Sequence, residues 1–160
     1  MDFVTCDLCD ANEGKVSVVT GLNWFSYGGR KVFGGQAVTV KCFEDNSRVK
    51  ELLGKPGEGK VLVVDGGGSL RNALIGDMIA ESAVKNGWAG IIIYGACRDV
   101  DELAKLDFGV MTLGCVPIKS VRRGEGQVDL EISFGGVTIA SGDYVYADNN
   151  GVIVSKDKLA

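Results

Sequence analysis

Residues 60–102 read KVLVVDGGGSLRNALIGDMIAESAVKNGWAGIIIYGACRDVDE, and the fold turns on this stretch. A continuous apolar run over residues 61–64 ends at Asp65 and breaks into Gly66-Gly67-Gly68. Short apolar runs bounded by turn residues read as buried strands. Gly76-Asp77 opens an amphipathic segment that continues to about Asn86 and closes at Gly87, which predicts a helix with a glycine stop. A second apolar run over residues 90–94 follows, and Gly95-Ala96-Cys97 leads out to Arg98-Asp99. The order strand, helix, strand places the helix N-terminus and both strand ends on one edge. A helix over residues 77–87 rises roughly 16 Å at about 1.5 Å per residue. The return strand with its exit covers a similar distance at about 3.3 Å per residue. Arg98 and Asp99 are therefore expected beside Asp77, at an edge where free helix N–H groups favour an anion.

The chain has 160 residues, enough for one domain with a real core. Its 24 glycines are about twice the usual ~7% share, so tight turns and close backbone approaches are expected. The formal charge is −4 and the basic residues are scattered. The densest basic cluster, residues 119–123, is short and has no interleaved aromatics, which argues against a direct nucleic-acid partner. No apolar run approaches the ~20 residues of a membrane span, and the N-terminus lacks a signal-peptide layout, so no membrane partner and a cytoplasmic location are expected. Five cysteines, an odd number in apolar surroundings, read as reduced and mostly buried thiols. Cys6 and Cys9 form a CxxC with no second pair or histidine to complete a zinc site, and read as one face of a short helix that Thr5 could cap.

There is no histidine. That removes Ser/His and Cys/His nucleophilic pairs and every histidine-based metal site. Acid–base or metal chemistry must then use carboxylates, Arg, Lys, Tyr, Cys or water, and a carboxylate metal site favours Mg²⁺ or Mn²⁺.

Around the central unit, residues 16–19 read as a strand, and residues 36–43 as a half-buried strand with Val38, Val40 and Cys42 on one face and Thr39 and Lys41 on the other. Helices are expected over residues 47–53 and 101–106, with a strand over 110–113. The remainder is β-rich, with strands over 128–134, 137–140, 143–146 and 151–154 separated by Gly- and Asn-containing turns. Phe-Gly-Gly occurs at Phe33 and again at Phe134, which reads as strand-edge bulges rather than a repeat. The whole predicts one mixed α/β domain.

The glycine loop, Gly66-Gly67-Gly68-Ser69-Leu70-Arg71, fails the dinucleotide fingerprint because Arg71 stands where a third glycine belongs, and it lacks the Gly-Lys-Ser/Thr of a P-loop. The spacing Asp77-X20-Arg98-Asp99-X2-Glu102 is more informative. It brings two carboxylates and a guanidinium to a strand-end crevice. Arg98 can grip a carboxylate bidentately, and Asp77 and Asp99 can hold one Mg²⁺ directly or through water. The same spacing also fits a plain helix cap beside a surface ion-pair cluster. A Schiff-base mechanism is a competitor, but it needs a desolvated lysine, whereas Lys41 faces the polar side of its strand and Lys60, Lys85 and Lys105 sit at solvated boundaries.

Four segments, FGGQAVTVKCFEDN (33–46), KVLVVDGGGS (60–69), IIIYGACRDVDEL (91–103) and FGGVTIASGDYVYADNNGV (134–152), resemble the regulator of ribonuclease activity A (RraA) family. Its relatives include the class II 4-hydroxy-4-methyl-2-oxoglutarate (HMG/CHA) aldolases, whose D-X20-R-D-X2-E/D motif this chain matches at every defined position. The resemblance covers nearly the whole chain. It implies a single RraA-like domain over residues 1–160, an α/β/β/α sandwich of the swivelling-domain kind, assembled as a homotrimer. It further implies a divalent-metal lyase that cleaves the 2-oxo acid HMG to two pyruvates and decarboxylates oxaloacetate through the same pyruvate enolate. By that resemblance Asp99 is the metal ligand and Asp77 contributes through water. Arg98 and the backbone of Gly76, Asp77, Met78 and Ile79 bind the substrate, with Arg98 and Asp77 catalytic, and Glu102 orients the Arg98 region. With no histidine, the C4 hydroxyl proton goes to a water held at the site. The regulator branch of the family is named for inhibiting ribonuclease E, which gives a second, non-catalytic reading with that enzyme as partner.

Overall fold

The computed structural model describes residues 2–160. In chain order its elements are α1 (Thr5–Ala11), β1 (Val16–Val18), β2 (Phe25–Ser26), β3 (Phe33–Lys41), α2 (Ser47–Leu53), β4 (Val61–Asp65), α3 (Asp77–Lys85), β5 (Gly90–Cys97), α4 (Val100–Leu103), β6 (Gly109–Cys115), β7 (Gln127–Val128), β8 (Ile132–Phe134), β9 (Val137–Ile139), β10 (Tyr144–Asp148) and β11 (Gly151–Ser155). β3, β4, β5 and β6 lie side by side in parallel, joined by α2, α3 and α4. β3 is shared between two sheets. From Phe33 to Gln36 it pairs antiparallel with β10, and from Ala37 to Lys41 it pairs with β4. β11 and β1 extend the antiparallel half from β10.

The two halves pack face to face. Leu62, Val64, Ile91 and Ile93 meet α2 and α3 through Val49, Leu53, Ala80 and Ala83. The alternate residues Val61, Val63, Ile92 and Met111 meet Val145, Ala147, Val152 and Val154 of β10 and β11. This is why β4 and β5 are apolar without alternation: both of their faces are covered. On the outer face of the antiparallel half, the Phe3 ring meets Tyr146 edge-on at 5.2 Å. There the buried Asp148 accepts the Thr5 N–H at 2.8 Å and the Thr5 hydroxyl at 2.7 Å. α1 is thereby held against β10, completing the expected α/β/β/α layering. Among the described residues no helix is long and apolar enough to cross a membrane.

Local expectations needed correction where tertiary contacts override them. Thr5 does not cap α1; Val4 holds that position and the Thr5 hydroxyl is committed to Asp148. Thr39 is not on a polar face but buried, donating to the Leu130 carbonyl at 2.7 Å beneath the β8–β9 hairpin. The second Phe-Gly-Gly is no bulge: Gly135 and Gly136, at φ of 58° and 77°, form the two-residue turn between β8 and β9. Residues 128–134 are split between β7 and β8, and the loop residues Phe25 and Ser26 pair with β6. All five cysteines are free as expected, but only Cys42 and Cys97 are buried; Cys6 and Cys115 are exposed.

Phe33 seals the sandwich where β3 changes sheets, lying on the bare backbones of Gly90 and Gly109. A Cβ at Gly109 would overlap its ring. Gly109→Ala should therefore cost about 1–3 kcal/mol, read as a lowered urea midpoint.

Burial raises the Asp148 pKa, but the donors from Thr5 and Asn150 outweigh it and hold the group below the usual carboxylate range. A depressed folded pKa contributes stability above the unfolded value of about 3.9 and loses it as pH falls through the folded value. Asp148→Asn should thus flatten the loss of stability below about pH 4, measured by urea unfolding at stepped pH.

Candidate active site

The chain after β4 does not go straight into α3. Gly67 donates back to Asp65 Oδ1 at 3.0 Å, turning the backbone, and residues 73–75 then run alongside the end of β5. Leu74 N–H bonds the Ala96 carbonyl at 2.9 Å, Arg98 N–H bonds the Ile75 carbonyl at 3.0 Å, and Ala73 N–H bonds the Ile118 carbonyl at 2.7 Å. β5 is three residues longer than its apolar run because Gly95-Ala96-Cys97 are strand, following an irregularity in register after Ile93. The added strand-like segment brings Gly76 and Asp77 directly against Arg98 and Asp99.

Asp99 has the left-handed backbone conformation, φ 57° and ψ 42°, unusual for a residue with a side chain. Its Oδ2 accepts the Asp77 N–H at 3.0 Å, so it caps α3 from another segment. The Arg98 Nε lies 3.8 Å from the same oxygen. Asp77 Oδ1 accepts the Met78 N–H at 2.8 Å. Gly76 is bare where these groups meet: a Cβ there would stand 2.5 Å from Asp99 Oδ2 and 3.3 Å from Arg98 Nε.

Gly76, Asp77, Met78, Ile79, Arg98 and Asp99 all line one cavity of about 260 Å³. Glu102 does not join them. It pairs with Lys105 at 3.3 Å on the exposed side of α4, so it is an i,i+3 partner rather than a support for Arg98. The sequence reading missed the opposite wall, formed by Asn46, Lys50, Lys119 and Arg122. The signal was present in the basic run 119–123, but only the fold shows that Lys119 and Arg122 line the cavity. Four cationic side chains thus face two carboxylates in a chain whose net charge is −4. The two lysines are exposed, whereas a Schiff-base lysine depends on desolvation. Burial pushes the Cys97 thiol, next to Arg98, up to about 11, which leaves it protonated and unreactive at neutral pH.

Among the described residues no hydrogen bond reaches Asp99 Oδ1, and no three His, Cys, Asp or Glu side chains gather into a cage. One or two carboxylates with solvent around them suit Mg²⁺ or Mn²⁺, which keep several waters, and do not suit zinc. The residues present therefore fit a hard divalent cation.

The site is thus a strand-end pocket of carboxylates and guanidinium on an α/β/β/α sandwich. The chain belongs to the RraA-like family, described as Aldolase/RraA, whose model matches residues 5–154. It is 76% identical over 159 residues to an Alcanivorax borkumensis protein named "Putative 4-hydroxy-4-methyl-2-oxoglutarate aldolase", covering 99% of each chain. Its fold matches the RNA-processing inhibitor RraA from Thermus thermophilis with a TM-score of 0.94 at 38% identity, over 100% of this chain and 96% of that one. A Geobacillus kaustophilus structure described as S-adenosylmethionine: 2-dimethylmenaquinone methyltransferase matches with a TM-score of 0.95 at 45% identity, over 98% of this chain and 97% of that one.

Because Gly76 leaves no room for a side chain against Asp99, Gly76→Ala should displace that carboxylate while sparing the core. Mn²⁺ affinity, followed by water-proton relaxation, should fall by about tenfold or more, the scale of one strained ligand contact, with an unchanged far-ultraviolet circular dichroism spectrum.

Proposed function

We propose that this chain is a lyase that uses a divalent cation, Mg²⁺ or Mn²⁺, to cleave 4-hydroxy-4-methyl-2-oxoglutarate into two pyruvates, and that it decarboxylates oxaloacetate at the same site. The observation that carries this reading is the convergence of Arg98, Asp99 and the start of α3 in a cavity whose far wall is cationic. The substrate is a dianion with one carboxylate at each end. Arg98 and the backbone N–H groups of Gly76 and Ile79 hold the 2-oxo carboxylate, those of Asp77 and Met78 being engaged by the Asp99 and Asp77 carboxylates, and Lys119 and Arg122 face the distal one. Asp99, with Asp77 beside it, holds the cation, which when bound supplies Lewis-acid stabilisation of the enolate charge.

In the cleavage the C3–C4 bond breaks, its electron pair moves to C3, and the C4 hydroxyl becomes the carbonyl of the first pyruvate. Asp77 Oδ1 is tied to Met78, leaving Oδ2 to accept the hydroxyl proton through a water. Arg98 opposes the charge that develops on the departing enolate, and protonation at C3 gives the second pyruvate. Oxaloacetate loses carbon dioxide from C4 to reach the same enolate. The name of the 76%-identical relative agrees with this chemistry. A methyl-transfer role fits less well. S-adenosylmethionine brings a sulfonium cation to a cavity lined by four cationic side chains, and about 260 Å³ is below the roughly 300–1,000 Å³ of sites for larger ligands.

A second reading rests on the likeness to the RNA-processing inhibitor: binding of ribonuclease E without catalysis. The exposed Leu70, Met78, Ile118 and Val121 at the same end of the parallel sheet offer a surface for protein contact, with a second copy in the homotrimer or with the nuclease. That reading requires nuclease binding to survive loss of Asp99.

Metal-stripped protein should release pyruvate from HMG only after Mg²⁺ is added, in a coupled lactate dehydrogenase assay. Asp99→Ala and Arg98→Ala should each lower the rate by about 10²–10³-fold with the fold intact. Turnover unchanged by Asp99→Ala would remove the proposed site. No turnover by the unaltered chain, together with nuclease binding, would favour the regulator.

A further inference from the structure

Two cations of the cavity wall, Lys119 and Arg122, are carried by a loop, residues 119–126, whose side chains are mostly exposed and which has no helix or strand beyond an isolated bridge at Lys119. One end is held by the Ser120 hydroxyl, which donates to the Ala73 carbonyl at 2.8 Å. The other end is held by Asp45, a carboxylate only 1% exposed at the turn between β3 and α2. Asp45 Oδ2 accepts the N–H groups of Arg123 at 2.7 Å and Glu125 at 3.3 Å. Its Oδ1 accepts both the backbone N–H of Ser47, at 2.9 Å, and the Ser47 hydroxyl, at 2.5 Å. The Ser47 oxygen in turn accepts the N–H of Gly124 at 3.0 Å. Three successive loop amides therefore converge on an Asp–Ser pair more than seventy residues away, and Gly124, at φ 74°, supplies the left-handed turn that lets them do so.

We infer that Asp45 is a positioning residue for substrate selection: by clamping the amides of Arg123 and Glu125 it holds Arg122 over the distal end of the cavity, where Arg122 recognises a second carboxylate. The inference rests on the aldolase reading and deepens it. Arg122 lies between the two anchors, and its Nη1 stands 3.5 Å from Asn46 Oδ1, the residue next to Asp45. Asn46 is itself fixed, donating from Nδ2 to the Leu74 carbonyl at 3.1 Å. Lys119 lies beyond the Ser120 anchor, adjoining Ala73, and does not depend on Asp45. Asp45 does not line the cavity, so it acts through the loop and not on substrate. Burial raises its pKa, but the donors of Ser47, Arg123 and Glu125 overcome this and bring it down to about 2, so the clamp stays charged across the working pH range.

The test separates the two ends of the substrate. HMG turnover needs recognition of both carboxylates, whereas exchange of pyruvate methyl protons in D₂O needs only the Arg98 end. Asp45→Asn puts an amide NH₂ or a weaker acceptor against the two loop amides. It should raise KM for HMG about tenfold, the scale of one lost charge-assisted contact, with kcat and pyruvate exchange within about twofold of the unaltered chain. Arg122→Ala should raise KM to a similar degree, and adding Asp45→Asn to it should change KM no further. Amide hydrogen exchange at residues 123–125 should accelerate in Asp45→Asn. Equal losses in HMG turnover and pyruvate exchange, additive effects with Arg122→Ala, or an unchanged KM would each overturn the inference. If Asp45→Asn fails to fold, Ser47→Ala, which removes the Gly124 acceptor, is read by the same criteria. If the unaltered chain shows neither turnover nor exchange, the aldolase reading fails, and with it the assignment to substrate selection. Unchanged amide exchange at residues 123–125 would instead refute the clamp itself.

Discussion

The hydrogen bond from the Asp77 N–H to the Asp99 carboxylate, 3.0 Å long, is the contact on which the candidate site depends. It ties the start of α3 to the residue that follows β5 and Arg98. It also satisfies one of the helix N–H groups that would otherwise lack a partner. Asp99 reaches it from a left-handed backbone conformation, and Gly76 keeps the space between them clear. A residue held in an unfavourable conformation by its surroundings is common where geometry serves function. Here the strain places one carboxylate oxygen on the helix and leaves the other open.

Charge distribution gives this geometry its chemical direction. The chain is acidic as a whole, yet Lys50, Arg98, Lys119 and Arg122 surround one small cavity. Concentrating positive charge in a cleft of an acidic protein attracts small anions while the remaining surface repels polyanions such as nucleic acid. In the proposed reaction the two carboxylates in the same cavity would hold a divalent cation, and cation and guanidinium would act on one developing enolate. Family membership and the aldolase-named relative point the same way, while the RNA-processing inhibitor shares the fold at 38% identity. The fold alone therefore does not choose between catalysis and regulation.

Much of this was legible in the sequence because it is local. The apolar runs of β4 and β5, the glycine stop of α3 and the spacing from Asp77 to Arg98 follow from strand and helix periods within forty residues. What was not legible depends on contacts between distant segments. Thr5 reads as a cap but belongs to Asp148, which is 143 residues away. Thr39 reads as solvent-facing until the β8–β9 hairpin covers it. Lys119 and Arg122 read as a weak basic cluster, because nothing near them in sequence reveals the clamp at Asp45. Glu102 matches the family spacing, yet it is turned toward Lys105 by its place on α4.

The central claim is that Arg98, Asp99 and the start of α3 stabilise a pyruvate enolate together with a divalent cation. Oxalate, a planar dianion resembling that enolate, tests it directly by calorimetric titration against pyruvate. The account predicts that oxalate binds at least about 10²-fold more tightly than pyruvate, only with Mg²⁺ or Mn²⁺ present, and that Asp99→Ala abolishes the difference. Equal affinity for the two anions, or oxalate binding that needs neither the cation nor Asp99, would contradict it.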